Sequence, residues 1–325
     1  MKQLIKNERG FALILTILVI SLIVALTLQF NTTMRSDLYS AANFKDGVKL
    51  TSIARSGFAF SLAVLLKDAS ENDFDALRES WADSGTLSYG LVSLFGDGSL
   101  DVRVMDHSGR ININQLIDQN GAFNQEQKNI LTRFLSSEQF GLDPEDVDNI
   151  IDAIKDWIDP DDEVTRFGAE DSYYATMEKP YSCKNSKLDF LEELLLVRGI
   201  TRELFYGTKD NPGISAYLTT RGDGKININT AHPVVLGKLS DQIDQEMVEN
   251  MVEYRSDEKN DLKDVKWYNK VPGMSDIAID PGLVTTSSTN FEIRAEGIKD
   301  SMHKLITVMV ERKDGKLNIL SWKTE

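Results

Sequence analysis

From Phe11 to Phe30 the chain reads FALILTILVISLIVALTLQF, and no charged residue falls between Arg9 and Arg35. Roughly 20 apolar residues rising about 1.5 Å each cover the roughly 30 Å hydrocarbon layer of a bilayer, where a helix satisfies its own backbone polar groups. The pattern predicts a helix that crosses a membrane once. A buried core helix and a cleaved secretory signal are the alternatives, and the second needs a small-residue cleavage site that is not evident near Thr27 to Thr33. Lys2, Lys6 and Arg9 outweigh Glu8, which keeps the short N-terminus in the cytoplasm and sends the rest of the chain across.

Helical spacing continues beyond the apolar run. Met34, Leu38, Ala41, Ala42, Val48, Phe58, Leu62 and Leu65 recur on one helical face, and no proline occurs before Pro144. One helix from about Phe11 to Lys67 is predicted, with Gly47 and Gly57 as points of bending or close contact. Alternation from Leu100 to Met105 predicts a strand that ends in Asp106-His107-Ser108-Gly109. Three more strand-like runs follow at the far end, Phe291 to Gly297, Lys304 to Arg312 and Lys316 to Trp322, the last two joined by an Asp314-Gly315 turn. The expected fold is α+β: the long N-terminal helix packs on a small antiparallel sheet built from residues 31–108 and 289–325, and 109–288 form a large inserted α-helical domain. A separate C-terminal β-domain is the alternative.

The insertion repeats itself. Gly109-Arg110-Ile111-Asn112-Ile113-Asn114 is answered by Gly224-Lys225-Ile226-Asn227-Ile228-Asn229, each passing from a Gly turn through a basic residue into I-N-I-N. Paired Asn residues cap helix starts and hold turns through side-chain bonds to the backbone, while the Ile residues anchor in a core. A second echo joins Val197-Arg198-Gly199-Ile200 to Val271-Pro272-Gly273-Met274. Together they predict two related helical units.

Charge then narrows the function. The 325 residues carry a net charge of -15. An acidic chain without a Lys/Arg stripe lacks the counterion release that broad nucleic-acid binding requires, so no nucleic-acid partner is expected. Cys183 is the sole cysteine, which excludes an intrachain disulfide and cysteine-rich zinc modules. His107, His232 and His303 are dispersed, no P-loop, G-x-S-x-G or H-E-x-x-H motif occurs, and no enzymatic activity is expected. The strongest candidate site is Asp143 to Asp171, with twelve acids against Lys155 and Arg166. Such a run is either a solvated face or a site for a hard cation, since calcium takes six to eight oxygen ligands and carboxylates around a Pro-constrained turn converge on it.

Two segments resemble a known family. Lys6-Asn7-Glu8-Arg9-Gly10 before Phe11 and an unbroken apolar stretch resembles the leader of type IV pilins and type II secretion pseudopilins. The resemblance implies cleavage by prepilin peptidase between Gly10 and Phe11, N-methylation of Phe11, a leader of residues 1–10 and a fibre-core helix segment of residues 11–30. Most such proteins carry Glu at the fifth mature position; Leu15 stands there, and the missing Glu resembles minor pseudopilin K of type II secretion systems, the member that characteristically lacks it. The run Asp156-Trp157-Ile158-Asp159-Pro160-Asp161, then Gly168-Ala169-Glu170-Asp171-Ser172-Tyr173-Tyr174 and Tyr181-Ser182-Cys183-Lys184-Asn185, is similar to the same family, and likeness extends over most of the chain. It implies a pilin-like fold with a helical insertion, and calcium held by ligands drawn from Asp159, Asp161, Asp162, Glu170 and Asp171. Tyr173 and Tyr174 are expected to pack that loop. The implied role is assembly at the pseudopilus tip, initiating or capping the fibre in support of export of folded proteins. Implied partners are minor pseudopilins I and J, other pseudopilins of the fibre, prepilin peptidase, the bacterial inner membrane and secretion substrates, with the soluble region in the periplasm. The competing reading is a membrane-anchored, calcium-dependent binding module outside any fibre.

Overall fold

The computed structural model of the chain describes residues 8–89, 95–209 and 211–325. Residues 1–7 of the expected leader, including Lys2 and Lys6, therefore lie outside the described residues. The first element is one 64-residue helix, α1 (Glu8–Glu71). Its first half has no packing partner among the described residues: Phe11 through Phe44 are exposed, and the apolar window is long enough to cross a membrane. The hydroxyls in this stretch bond backward to the helix itself, Thr16 to Leu13 O (2.8 Å), Ser21 to Leu18 O (2.8 Å) and Thr27 to Ile23 O (2.7 Å). Self-satisfied hydroxyls are what hydrocarbon tolerates.

Packing starts later along α1 than the expected face. Leu50, Ile53, Ala54, Phe58 and Leu65 are buried, whereas Met34, Leu38 and Val48 are exposed. The same apolar spacing serves both a lipid- or fibre-facing surface and a core, so periodicity alone does not divide them. Gly57 is the close-contact glycine: a Cβ there would lie 2.7 Å from Leu100 Cδ1 and 2.8 Å from Val102 Cγ2. Gly47 has nothing within 4 Å, and the helix passes it unbroken.

A short helix α2 (Ser84–Tyr89) leads to β1 (Ser99–Asp106). Then comes the helical region: β2 (Ile111–Asn112), α3 (Gln125–Leu135), α4 (Pro144–Ile158), α5 (Asp171–Tyr174), α6 (Arg202–Tyr206), β3 (Leu218–Thr219), β4 (Ile226–Asn227), α7 (Pro233–Leu236), α8 (Gln245–Ser256) and β5 (Val284–Thr285). The chain closes with β6 (Asn290–Lys299), β7 (Met302–Lys313) and β8 (Lys316–Thr324). Sheet order is β1-β6-β7-β8, antiparallel throughout, so the terminal strands join the first one and the separate β-domain is set aside. Register places Val102, Ala295 and Ile306 side by side, with Val104, Ile293 and Val308 in the next row, on the face that covers α1. Asp314 and Gly315 both take positive φ, 53° and 68°, which suits the tight β7–β8 turn.

The region between β1 and β6 builds its own larger core and repeats one hydrogen-bond circuit. In the first unit β2 pairs parallel with β3; in the second β4 pairs parallel with β5. Asn112 Oδ1 accepts from Asn114 N, and Asn227 Oδ1 from Asn229 N, both at 3.0 Å. Asn114 Nδ2 donates to Leu188 O and Thr220 O; Asn229 Nδ2 donates to Leu262 O and Thr286 O. Each acceptor pair comprises the residue after the paired strand and a residue three before a 3-10 turn, Leu191–Leu196 or Val265–Lys270. Gly199 and Gly273 follow those turns with φ of 87° and 81°. The two echoes in the sequence are thus parts of one duplicated unit.

Candidate metal centre

The acidic segment is shaped by the end of α4. Asp143 caps its start, accepting from Glu145 N (3.1 Å) and Asp146 N (2.9 Å). Val147, Ile150, Ile151, Ile154, Trp157 and Ile158 face the core. Asp152, Asp156 and Asp159 recur every three or four residues along another edge of the helix. Pro160 ends the helix, since the residue before a proline is pushed out of helical geometry, and Asp159 sits at φ -78°, ψ 162°.

The loop then folds back over that edge. Thr165 N donates to the Asp156 carboxylate (3.1 and 3.2 Å), and Phe167 N to Asp152 Oδ2 (3.3 Å). Gly168 lies so close that a Cβ would stand 2.0 Å from Asp156 Oδ2 and 2.9 Å from Asp152 O. This approach delivers Glu170, at the start of α5, to Asp156 and Asp159. Ligand atoms of the three carboxylates lie within 4.8 Å of one another, and all three residues are buried. An aromatic floor supports them: Trp157 packs edge-on to Tyr174 at 5.2 Å, and Tyr174 stacks on Tyr181 at 5.1 Å. Arg198 N donates to Tyr174 Oη (3.2 Å) and the Arg198 guanidinium to Gly168 O (3.3 Å), which ties the Gly199 turn to the loop.

Charge in this cluster is incompletely matched. Lys155 pairs with Asp159 Oδ2 and donates to Thr165 Oγ1 (2.8 Å). Asp159 Oδ1 and both Glu170 carboxylate oxygens are buried without a hydrogen-bond partner among the described residues. Burial, then the nearby Asp156, Asp159 and Asp162 carboxylates, push the Glu170 carboxyl up to about 7; burial likewise raises Asp156 and Asp159. Three buried carboxylates, two of them with orphaned oxygens, fit a hard divalent cation, whose shell carbonyl and water oxygens would complete. Cys183 is beside the cluster, but its buried thiol is pushed up to about 12 and donates to Asp156 O (3.4 Å), so it stays protonated and adds no soft ligand.

Of the expected ligands, Asp159 and Glu170 meet in this cluster. Asp161 and Asp162 are exposed on the loop: Asp161 Oδ1 accepts from Glu163 N, and Asp162 Oδ1 from Asn185 Nδ2 at 2.7 Å. Asp171 is exposed, and its Oδ1 accepts from Cys183 N at 2.5 Å. The candidate set omits Asp156, which the structure places in the cluster; its signal was its position three residues before Asp159 on a helix. Asn185 Oδ1, another buried oxygen without a partner, belongs to the Asn that ties down Asp161 O and Asp162.

A second acidic cluster, Asp68, Asp75 and Glu79, lies where α1 meets the sheet and the helical region. Here the protein supplies the cation. Arg312 Nη2 bonds both Asp75 oxygens (2.6 and 2.5 Å), and Nη1 stands 3.6 Å from Asp68 Oδ2. Asp75 also accepts from Ser288 N, and its carbonyl from Asn227 Nδ2, so the node joins α1, β7 and the second helical unit. Nearby, Asp106 Oδ2 takes the Ser288 and Thr230 hydroxyls, and burial pushes its carboxyl up to about 6.

At the other end, Gly10 and Phe11 lie within α1, and Phe11 and Leu15 are 70% and 51% exposed. Comparison with known proteins converges with these features. A family model described as type II secretion system protein K matches residues 109–209, the stretch that carries the buried Asp156, Asp159 and Glu170. Type II secretion system protein K of Aeromonas hydrophila is 25% identical over 97% of this chain and 96% of its own, and that of Pseudomonas aeruginosa 27% over 97% and 92%. The crystal structure of the GspK-GspI-GspJ complex from enterotoxigenic Escherichia coli shares the fold, with a TM-score of 0.69, 18% identity, and coverage of 88% of this chain and 98% of that one. Near full-length relatives and a family model over the acidic-cluster region agree: the chain matches the type II secretion system protein K family.

Proposed function

We propose that the chain is a minor pseudopilin that initiates or caps the pseudopilus tip of a type II secretion system, in complex with minor pseudopilins I and J. The carrying observation is α1, a helix exposed from Phe11 to Phe44 that ends under a head with a large helical insertion. The exposed half exchanges lipid for neighbouring pseudopilin helices. Leu15 offers no carboxylate to fix register with a neighbour, and the insertion, taken as residues 109–288, obstructs stacking of another copy above. The role is structural, with the head in the periplasm, where it meets secretion substrates, and the stem in the inner membrane. Prepilin peptidase cleaves between Gly10 and Phe11, and Phe11 is methylated.

Calcium is the proposed ion, held by Asp156, Asp159 and Glu170, with Asp161, Asp162 and Asp171 on the surrounding loop. Bound there, it neutralises the buried carboxylates and orders the loop as a docking surface. Copurification from secreting cells tests the assembly reading: recovery with proteins I and J, together with mass spectrometry of an N-methylated Phe11, is expected. Persistence of Met1, or no such complex, refutes the tip assignment and leaves a membrane-anchored binding module.

A further inference from the structure

Lys155 is in an unusual place for a residue beside three clustered acids. It projects from α4 four residues before Asp159, and its side chain is only 13% exposed. The ammonium reaches Asp159 Oδ2 and Thr165 Oγ1 (2.8 Å), and it stands 5.8 Å from the centroid of the Phe123 ring. Thr165 is the residue whose N–H holds Asp156. The two oxygens of Asp159 are therefore divided: Oδ2 belongs to Lys155, while Oδ1 is buried without a hydrogen-bond partner, like both oxygens of Glu170.

We propose that Lys155 is a fixed counter-charge that weakens the cluster's hold on a divalent cation, so that occupancy follows the surrounding calcium level instead of being permanent. This rests on the reading of Asp156, Asp159 and Glu170 as a calcium site. The ammonium acts in two ways. Its charge repels a cation bound to the other side of the same carboxylate, in surroundings poorly screened by solvent. It also restricts Asp159 to one free oxygen, whereas a carboxylate released from Lys155 can offer both. Lys128 is the next cation along this surface, but it pairs at 3.9 Å with Asp152 and sits 3.8 Å from the Phe123 ring centroid, away from Asp159 Oδ2. Arg166 turns outward to Asp148 at 3.7 Å. Lys155 alone meets the cluster's ligands among the described basic side chains.

The test is calorimetric titration of calcium chloride into chelator-treated, detergent-solubilised full-length protein. Lys155→Met keeps the stem that packs near Phe123 and removes the charge; Lys155→Arg keeps the charge. Lys155→Met is expected to bind calcium ~10- to 100-fold more tightly than the parent, with Lys155→Arg within about threefold of it. Equal or weaker binding by Lys155→Met overturns the proposal and makes Lys155 a support for Asp159. Should Lys155→Met not fold, as judged by circular dichroism, Lys155→Gln is read in the same way. Folded parent and Lys155→Met proteins that both fail to bind calcium refute the metal reading itself, and the Lys155 proposal falls with it.

Discussion

The duplicated asparagine circuit makes a quantitative demand. Asn114 is 5% exposed, and its amide serves three backbone groups: it donates to Leu188 O (2.9 Å) and Thr220 O (3.0 Å) and accepts from Leu188 N (2.7 Å). Asn114→Ala leaves the two buried Leu188 groups and the half-buried Thr220 carbonyl unmatched. At about 1–3 kcal/mol for each orphaned group, with partial rehydration, the loss is about 3–5 kcal/mol. Asn229 is the equivalent residue, but its bonds to Leu262 O and Thr286 O are longer, 3.2 and 3.4 Å, and its strongest contact is Trp267 Nε1 at 2.7 Å. Asn229→Ala is therefore expected to cost less, about 2–4 kcal/mol. Urea unfolding of the detergent-solubilised chain, followed by tryptophan fluorescence, gives the totals. Hydrogen exchange gives their location: Asn114→Ala should expose amides around Ile111 and Leu188, and Asn229→Ala those around Ile226 and Thr285. A loss below about 1 kcal/mol for Asn114→Ala, or equal exchange increases in both units from either variant, refutes the circuit as the organising element.

Three further outcomes follow from the acidic clusters. Gly168→Ala puts a methyl against Asp156 and is expected to cost about 1–3 kcal/mol and to lower calcium affinity ~10-fold or more, read by urea unfolding and calorimetry. The Glu170 carboxyl, ordinarily near 4.5 and raised to about 7, keeps its proton longer in the native than the unfolded state, so its ionisation penalty grows from pH 4.5 to 7 and stands in full above. Chelated protein should thus melt at lower temperature as pH rises through that window, and calcium uptake near pH 6.5 should release a proton, detected by calorimetry in buffers of different ionisation enthalpy. Arg312→Met strands Asp68 and Asp75 without their cation and is expected to cost about 3–5 kcal/mol at neutral pH in urea unfolding, with partial recovery at pH 5.

The long helix and the sheet were legible because their signals are local: an unbroken apolar run, the alternation from Leu100 to Met105, the strand-like runs near the far end and the Asp314-Gly315 turn. Which part of α1 packs was not legible, because Met34 and Leu38 have the same spacing as Leu50 and Ile53. The repeat was visible in I-N-I-N, but the acceptors at Leu188, Thr220, Leu262 and Thr286 lie 33 to 106 residues away and carry no sequence mark. At the candidate metal centre, Asp161 is nearer to Asp159 in sequence than Asp156 is, and Asp162 is just as near. Helical geometry decides otherwise: Asp156 shares a helix edge with Asp159, and Pro160 turns the next acids outward. Nothing in the local sequence showed Arg312 reaching across to Asp68 and Asp75.

The two acidic clusters solve one physical problem by different means, and their positions explain the difference. Asp68, Asp75 and Glu79 lie at a joint where β7 passes close enough to lend Arg312, so the chain closes the node itself. A guanidinium held by two carboxylates fixes direction as well as charge, which suits an attachment between α1, the sheet and the helical head. Asp156, Asp159 and Glu170 gather inside one returning loop, where Lys155 meets a single carboxylate and three oxygens are left over. A point charge on a flexible stem neutralises less and directs less than a fork does. In the proposed reading the remainder comes from outside as calcium, so the shape of the acidic loop answers to the ion while the seat of the head on its stem does not. That separation lets a tip subunit change its docking surface without loosening its place in the fibre.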